Sequence, residues 1–131
     1  SQARLLGAEL VKSYPKIQAI YSGQALRQKQ TASEISKHFN LDFQEQNFLN
    51  EIDYGLWEGL TTHEIEDRWP IDYRAWTQYA KFNPNIFGKE LSNQKTSLKE
   101  WLLSLSQTKD EVLLVTSQGV IKMILSMWKI E

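Results

Sequence analysis

The order of hydrophobic patterns predicts an α/β domain built on a mainly parallel sheet. Three observations carry that prediction. Short apolar runs at Ile17–Ser22, Leu41–Phe43 and Val112–Thr116 alternate with segments of helical period. The run from Val112 to Val115 is uniformly apolar, as in a strand buried on both faces. Two strands run into small-residue turns, Ser22-Gly23-Gln24 and Ser117-Gln118-Gly119, that open helices.

The elements follow in order. Leu6 and Leu10, with Ala3 and Val11, give residues 3–13 one apolar face, and Tyr14-Pro15 ends that helix. Ile17–Ser22 is a strand. Ala32, Ile35 and Phe39 line one face of a helix from about Ala25 to His38. Leu41-Asp42-Phe43 alternates and reads as a second strand. Helices are expected at 62–69 and 71–81, divided at Pro70, with Trp69, Tyr73, Trp76 and Tyr79 as an aromatic stripe. Asn83 to Gly88 reads as a turn-rich loop. Leu91, Leu98, Leu102 and Leu105 mark a helix over about 91–106. After the strand at 112–116, Val120, Met123, Ile124 and Met127 form the inner stripe of the last helix.

The length of 131 residues fits one domain, residues 1–131. A formal net charge of -1 with no basic block argues against a nucleic-acid footprint. No apolar run reaches membrane-spanning length and no signal-peptide pattern opens the chain, so the expectation is a cytoplasmic protein with no membrane partner. With no cysteine and two separated histidines, no metal-ligand cluster is indicated, and no cofactor is expected.

The segment Leu49-Asn50-Glu51-Ile52-Asp53-Tyr54-Gly55-Leu56-Trp57-Glu58-Gly59 packs three carboxylates and two large aromatics into a stretch without hydrophobic period. It ends at Thr61, a helix cap with Glu64 as reciprocal partner. It is a loop that delivers carboxylates to the mouth of a helix. Ligands of open α/β sheets bind beyond the carboxyl ends of the strands. The turns at 22–24 and 117–119 lie there, each opening a helix whose free N–H groups favour an anion. Arg27 adds a permanent charge suited to phosphate oxygens. Glu51 and Glu58 are candidate proton-donating acids. The plainer account pairs Arg27 with Glu51 or Glu58.

Residues Tyr21 to Ala32, Tyr-Ser-Gly-Gln-Ala-Leu-Arg-Gln-Lys-Gln-Thr-Ala, resemble the S-S-x-L-x-R-A-x-Q-T-A segment of the histidine phosphatase superfamily, which includes the cofactor-dependent phosphoglycerate mutases. Residues 49–59 resemble that family's L-x-E-x-x-x-G-x-W-E-G. Val112 to Gly119 is similar to its apolar strand leading to a second His-Gly, Gln2-Ala3 with Leu6-Gly7 to its Q-A-x-x-L-G, and Gly88-Lys89-Glu90 weakly to its G-E-S turn. The resemblance implies a phosphoglycerate mutase-like, three-layer α/β/α sandwich, with residues 61–92 as a helical lid. It also implies a phosphorylated small molecule or phosphate as ligand. Arg27 is implied as a phosphate-binding residue, alongside Ser22, Gln118 and Gly119, Glu51 as proton donor, and Glu58 as a supporting carboxylate.

The departures matter as much. The family's nucleophile is a histidine in an R-H-G motif, on a strand before the first helix. This chain opens on the first helix and holds only His38 and His63, both expected at the surface and neither at a motif position. The second family histidine aligns with Gln118, which hydrogen-bonds but carries no charge. Gly23, Gln24 and Ala25 depart from S-x-L. The expectation is a phosphoester- or phosphate-binding domain with impaired or absent catalysis, one sheet strand short. The strand at 112–116 would then have an open edge. One alternative is an active phosphatase or mutase whose phosphohistidine comes from a segment outside this sequence. The other is a non-catalytic assembly module, in which a second copy or a partner covers the open edge.

Overall fold

The computed structural model describes residues 2–128. Its elements are α1 (Gln2–Ser13), β1 (Ile17–Ser22), α2 (Leu26–Phe39), β2 (Phe43–Glu45), α3 (Thr62–Arg68), α4 (Pro70–Tyr79), α5 (Pro84–Phe87), α6 (Lys89–Ser106), β3 (Glu111–Val115) and α7 (Gln118–Trp128). The three strands are parallel and ordered β2-β1-β3. The fold is α/β, as the alternating pattern predicts.

Side chains alternate across β1, so its two faces see different cores. Ile20 is buried, as are Ala32 and Ile35 on α2, and α1 packs against α2. Tyr21 packs against the larger cluster, its ring meeting Trp101 of α6 edge-on at 4.8 Å. That cluster joins Leu49, Ile52, Trp57, Trp76, Phe87, Leu91, Leu98, Val120 and Met123. It therefore unites the carboxylate loop, the region 61–92, α6 and α7 in one apolar body.

Three expectations are corrected. The second strand lies at Phe43–Glu45 rather than 41–43. Asn40 takes the left-handed conformation (φ 55°) that ends α2, and the Leu41 N–H returns to the Ser36 carbonyl, so residue 41 belongs to the helix cap. The stretch 83–88 is partly helical, because Asn83 caps the Asn85 N–H and Pro84 occupies the first helical position. Finally, β3 is not buried on both faces. Val112 to Val115 are half-buried, because β3 stands at the edge of the sheet and pairs only with β1 among the described residues.

Of the aromatic stripe, Trp76 is buried, Trp69 and Tyr73 lie against Trp57, and Tyr79 is exposed. Gly55, with φ +57°, lets the carboxylate loop touch α5. A Cβ there would collide with the Ile86 and Phe87 backbone. No helix among the described residues is long and apolar enough to cross a membrane.

Candidate functional site

Three chain turns meet beyond the carboxyl ends of β1 and β3, and side chains bond them to one another. Between residues 24 and 50 the bonds are reciprocal. The Gln24 N–H donates to Asn50 Oδ1 (2.6 Å), and Asn50 Nδ2 donates to Gln24 Oε1 (3.0 Å). Buried Gln28 caps α2 through the Ala25 N–H. Its Nε2 donates to the Leu49 carbonyl (3.3 Å) and to Ser117 Oγ (2.7 Å). Thr116 Oγ1 donates to the same Leu49 carbonyl at 2.6 Å. From α6, Gln94 Nε2 donates to the Phe48 and Asn50 carbonyls.

Within the carboxylate loop each acid holds a backbone N–H. Glu51 Oε1 accepts from Ile52 (2.9 Å), Asp53 Oδ1 from Gly55 (2.8 Å) and Glu58 Oε1 from Tyr54 (2.8 Å). The loop also reaches the first turn of α7. A Cβ built on Gly119 would stand 2.8 Å from Glu51 Oε1 and 2.9 Å from the Tyr54 hydroxyl, so only glycine admits both oxygens there. Burial, reinforced by repulsion from Glu51 and Glu58, pushes the Tyr54 phenol up to about 12. Its hydroxyl is therefore a standing hydrogen-bond donor at neutral pH.

A cleft of about 450 Å³ opens between this loop, α3, α4 and α7. Tyr54, Trp57 and Glu58 form one wall, Tyr73, Trp76 and Thr77 another, and Gln118, Gly119 and Lys122 the floor. Glu51 lines a neighbouring hollow of about 380 Å³ with Asp53 and Glu90, while its Oε1 reaches Gly119 of the main cleft.

The structure thus brings Glu51, Glu58, Gln118 and Gly119 together. It does not bring Ser22 and Arg27 to the cleft wall. Ser22 is fully buried, its hydroxyl donating to the Gly23 carbonyl at 2.7 Å. Arg27 is exposed on the first turn of α2 and lines neither hollow. It forms no ion pair with Glu51 or Glu58, so the plainer pairing is not found. His63 is exposed on α3, whereas His38 is half-buried against Gly7 of α1, because the close approach of α1 and α2 encloses its ring. Neither lies in the cleft. Among the described residues no group of three or more His, Cys, Asp or Glu is placed to hold a metal ion.

Sequence reasoning missed two cleft residues. Lys122 belongs to no motif, and its one signal was its place four residues after Gln118, on the same helix face. Tyr54 counts in the sequence only as one of the loop's two large aromatics; its place between Glu51 and Glu58 was the available signal.

Known proteins agree with this architecture. A phosphoserine phosphatase 1 from Hydrogenobacter thermophilus is 35% identical over 77 residues, which are 59% of this chain and 36% of that protein. Among solved structures, a mycobacterial hydrolase superposes with a TM-score of 0.74 at 20% identity, covering 99% of this chain and 60% of its own. A mycobacterial glucosyl-3-phosphoglycerate phosphatase complexed with VO3 superposes at 0.68 and 21% identity, covering 99% and 66%. The chain thus spans less than two thirds of the length of these proteins. The family model of the histidine phosphatase superfamily (branch 1) matches residues 1–130. With the parallel sheet and the loop motifs in register along it, the chain belongs to the histidine phosphatase superfamily.

Proposed function

We propose that this domain binds phosphate and phosphomonoesters at the mouth formed by the carboxylate loop and the opening of α7, with catalysis impaired in the chain as it stands. The observation that carries the reading is the convergence of Glu51 and Tyr54 on Gly119, at the first turn of the eleven-residue helix α7. Free N–H groups at that turn favour phosphoryl oxygens, and Gln118 adds a neutral donor. Arg27, exposed and without an ion-pair partner among the described residues, supplies positive charge from the opening of α2. Glu51 is the group that hands a proton to a leaving oxygen, and Glu58 fixes the Tyr54 backbone beside it. Both histidines of this chain lie away from the cleft, so these 131 residues form no phosphohistidine there. The setting is cytoplasmic.

The test is the melting temperature of the chain with and without phosphate or vanadate, beside Arg27→Ala. A ligand at about 100 times its Kd stabilises by roughly 2.7 kcal/mol. A shift that vanishes in Arg27→Ala supports the reading. No shift in a cooperatively melting protein rejects it.

The partial coverage of the solved relatives favours a second reading. A segment outside this sequence would carry the nucleophilic histidine, and the same Glu51 would then serve hydrolysis. An extended protein that turns over phosphate esters, slowed by Glu51→Gln, supports it. An inactive extended protein rejects it.

The single-sided pairing of β3 favours the assembly reading, in which a second copy covers the strand's free edge. Light scattering that finds a strict monomer rejects it.

A further inference from the structure

Ser117 immediately precedes α7 and so holds its N-cap position. A serine there ordinarily accepts from the second or third N–H of its own helix, as Thr61 does at the start of α3. Ser117 does not. Its Oγ accepts from Gln28 Nε2 at 2.7 Å, and no N–H of α7 is bonded to it among the described residues. Only its backbone enters the helix, the Ser117 carbonyl accepting from Ile121 at 3.0 Å. The N–H groups of Gln118, Gly119 and Val120 are therefore without an acceptor among the described residues.

The amide that holds Ser117 is itself fixed. Gln28 is buried, and its Oε1 accepts from the Ala25 N–H while its Nε2 also reaches the Leu49 carbonyl. Gly23 makes the room. A Cβ on residue 23 would stand 2.6 Å from Gln28 Cδ and 2.7 Å from the Leu49 carbonyl oxygen. The two positions depart together from the family segment, which has Ser in the place of Gly23 and Ala in the place of Gln28. An alanine at 28 has no group that reaches Ser117, and a side chain at 23 crowds the amide out.

Resting on the reading that a phosphoryl group binds at the opening of α7, we propose that Gln28 is a positioning residue for that site. By holding the Ser117 hydroxyl off the helix, it leaves the Gly119 and Val120 N–H groups to phosphoryl oxygens. Gln28 touches no ligand and acts through Ser117. Without it, the hydroxyl turns onto its own helix as an N-cap, and an arriving phosphoryl group has to displace that bond.

The test combines amide exchange of the ligand-free whole chain, read by NMR, with calorimetric titration of inorganic phosphate. It compares the unaltered chain, Gln28→Ala, Ser117→Ala and the double variant. In Gln28→Ala the Gly119 and Val120 amides are expected to exchange at least about threefold more slowly. Phosphate affinity is expected to fall about fivefold, the ratio that one N-cap bond is worth. Adding Ser117→Ala is expected to return both to within about twofold of Ser117→Ala alone. Gln28→Met keeps the bulk without the amide; it is expected to act as Gln28→Ala does, and carries the test if the smaller residue unfolds the chain. A role confined to fastening the turns predicts the reverse, faster exchange at both amides and an affinity loss that Ser117→Ala does not repair. Either result overturns the proposal, as does slower exchange with unchanged affinity. An unaltered chain that does not bind phosphate rejects the phosphate site and this use of it. The exchange comparison, made without ligand, then separates that failure from a failure of the Gln28–Ser117 relationship.

Discussion

Gln28 Nε2 donates to Ser117 Oγ across 2.7 Å, joining residues 89 positions apart in sequence. The same amide bonds the Leu49 carbonyl and the Ala25 N–H, so one buried side chain serves three turns. Gln28→Ala takes this partner from the Ala25 N–H and the Ser117 hydroxyl, and leaves the buried Leu49 carbonyl with Thr116 Oγ1 alone. The expected loss is about 1–3 kcal/mol, read as a lower urea midpoint at unchanged slope. A loss below about 0.5 kcal/mol would show that water replaces the amide without cost.

Gly119→Ala sets two effects against each other. Alanine favours a helix by up to about 1 kcal/mol over glycine. Its Cβ would nevertheless meet Glu51 Oε1, the Tyr54 hydroxyl and Ile52 Cδ1 at 2.8, 2.9 and 3.0 Å. All three are ends of side chains that can turn aside, so the chain is expected to fold with a stability change under about 1 kcal/mol. The displaced oxygens belong to the proposed site, and phosphate affinity is expected to fall at least about fivefold by titration. Unchanged affinity would separate Glu51 and Tyr54 from the ligand.

The Tyr54 phenol predicts a stability change in alkali. Its folded value lies near 12 against an ordinary 10, so above pH 10 the unfolded chain loses the proton while the folded chain keeps it. Stability is fully present below pH 10 and declines as pH rises toward 12. Because the side chain is only half-buried, the effect is at most about 1–2 kcal/mol after screening. Urea unfolding of the unaltered chain and Tyr54→Phe on both sides of pH 10 checks it. A decline that persists undiminished in Tyr54→Phe counts against this assignment.

The Thr61 hydroxyl accepts from the Glu64 N–H at 3.1 Å, and Glu64 Oε1 accepts from the Thr61 N–H at 3.2 Å. These bonds hold the Glu64 carboxyl below the usual range. Thr61→Ala is expected to cost about 1 kcal/mol and to raise amide exchange within α3. Exchange unchanged over residues 62–68 would mean that packing on Trp57, not the cap, holds that helix.

Legibility followed the length of the physical signal. Ile17–Ser22 was readable to the residue, because a central strand between Pro15 and Gly23 has little freedom of boundary. The Thr61–Glu64 cap was readable because both partners lie within one turn. The strand near 43 was placed early because Asn40 and Leu41 close α2 through a left-handed turn that hydrophobicity does not mark. The half-burial of β3 was missed because an apolar run states what a strand prefers, while its neighbours decide what covers it. That Glu51, Glu58, Gln118 and Gly119 come near one another was legible from the order of the motifs along the chain. The place of Lys122 in the cleft was not legible, because it is set where α7 meets α4, and Thr77 and Trp76 are distant in sequence.

The Leu49 carbonyl accepts from both Gln28 Nε2 and Thr116 Oγ1. That shared acceptor has a kinetic consequence. The loops at the strand ends are fastened by folding itself, so an arriving anion has little chain left to order. Its binding is expected to be one fast step, with an observed rate linear in ligand concentration and no slower closing phase behind it.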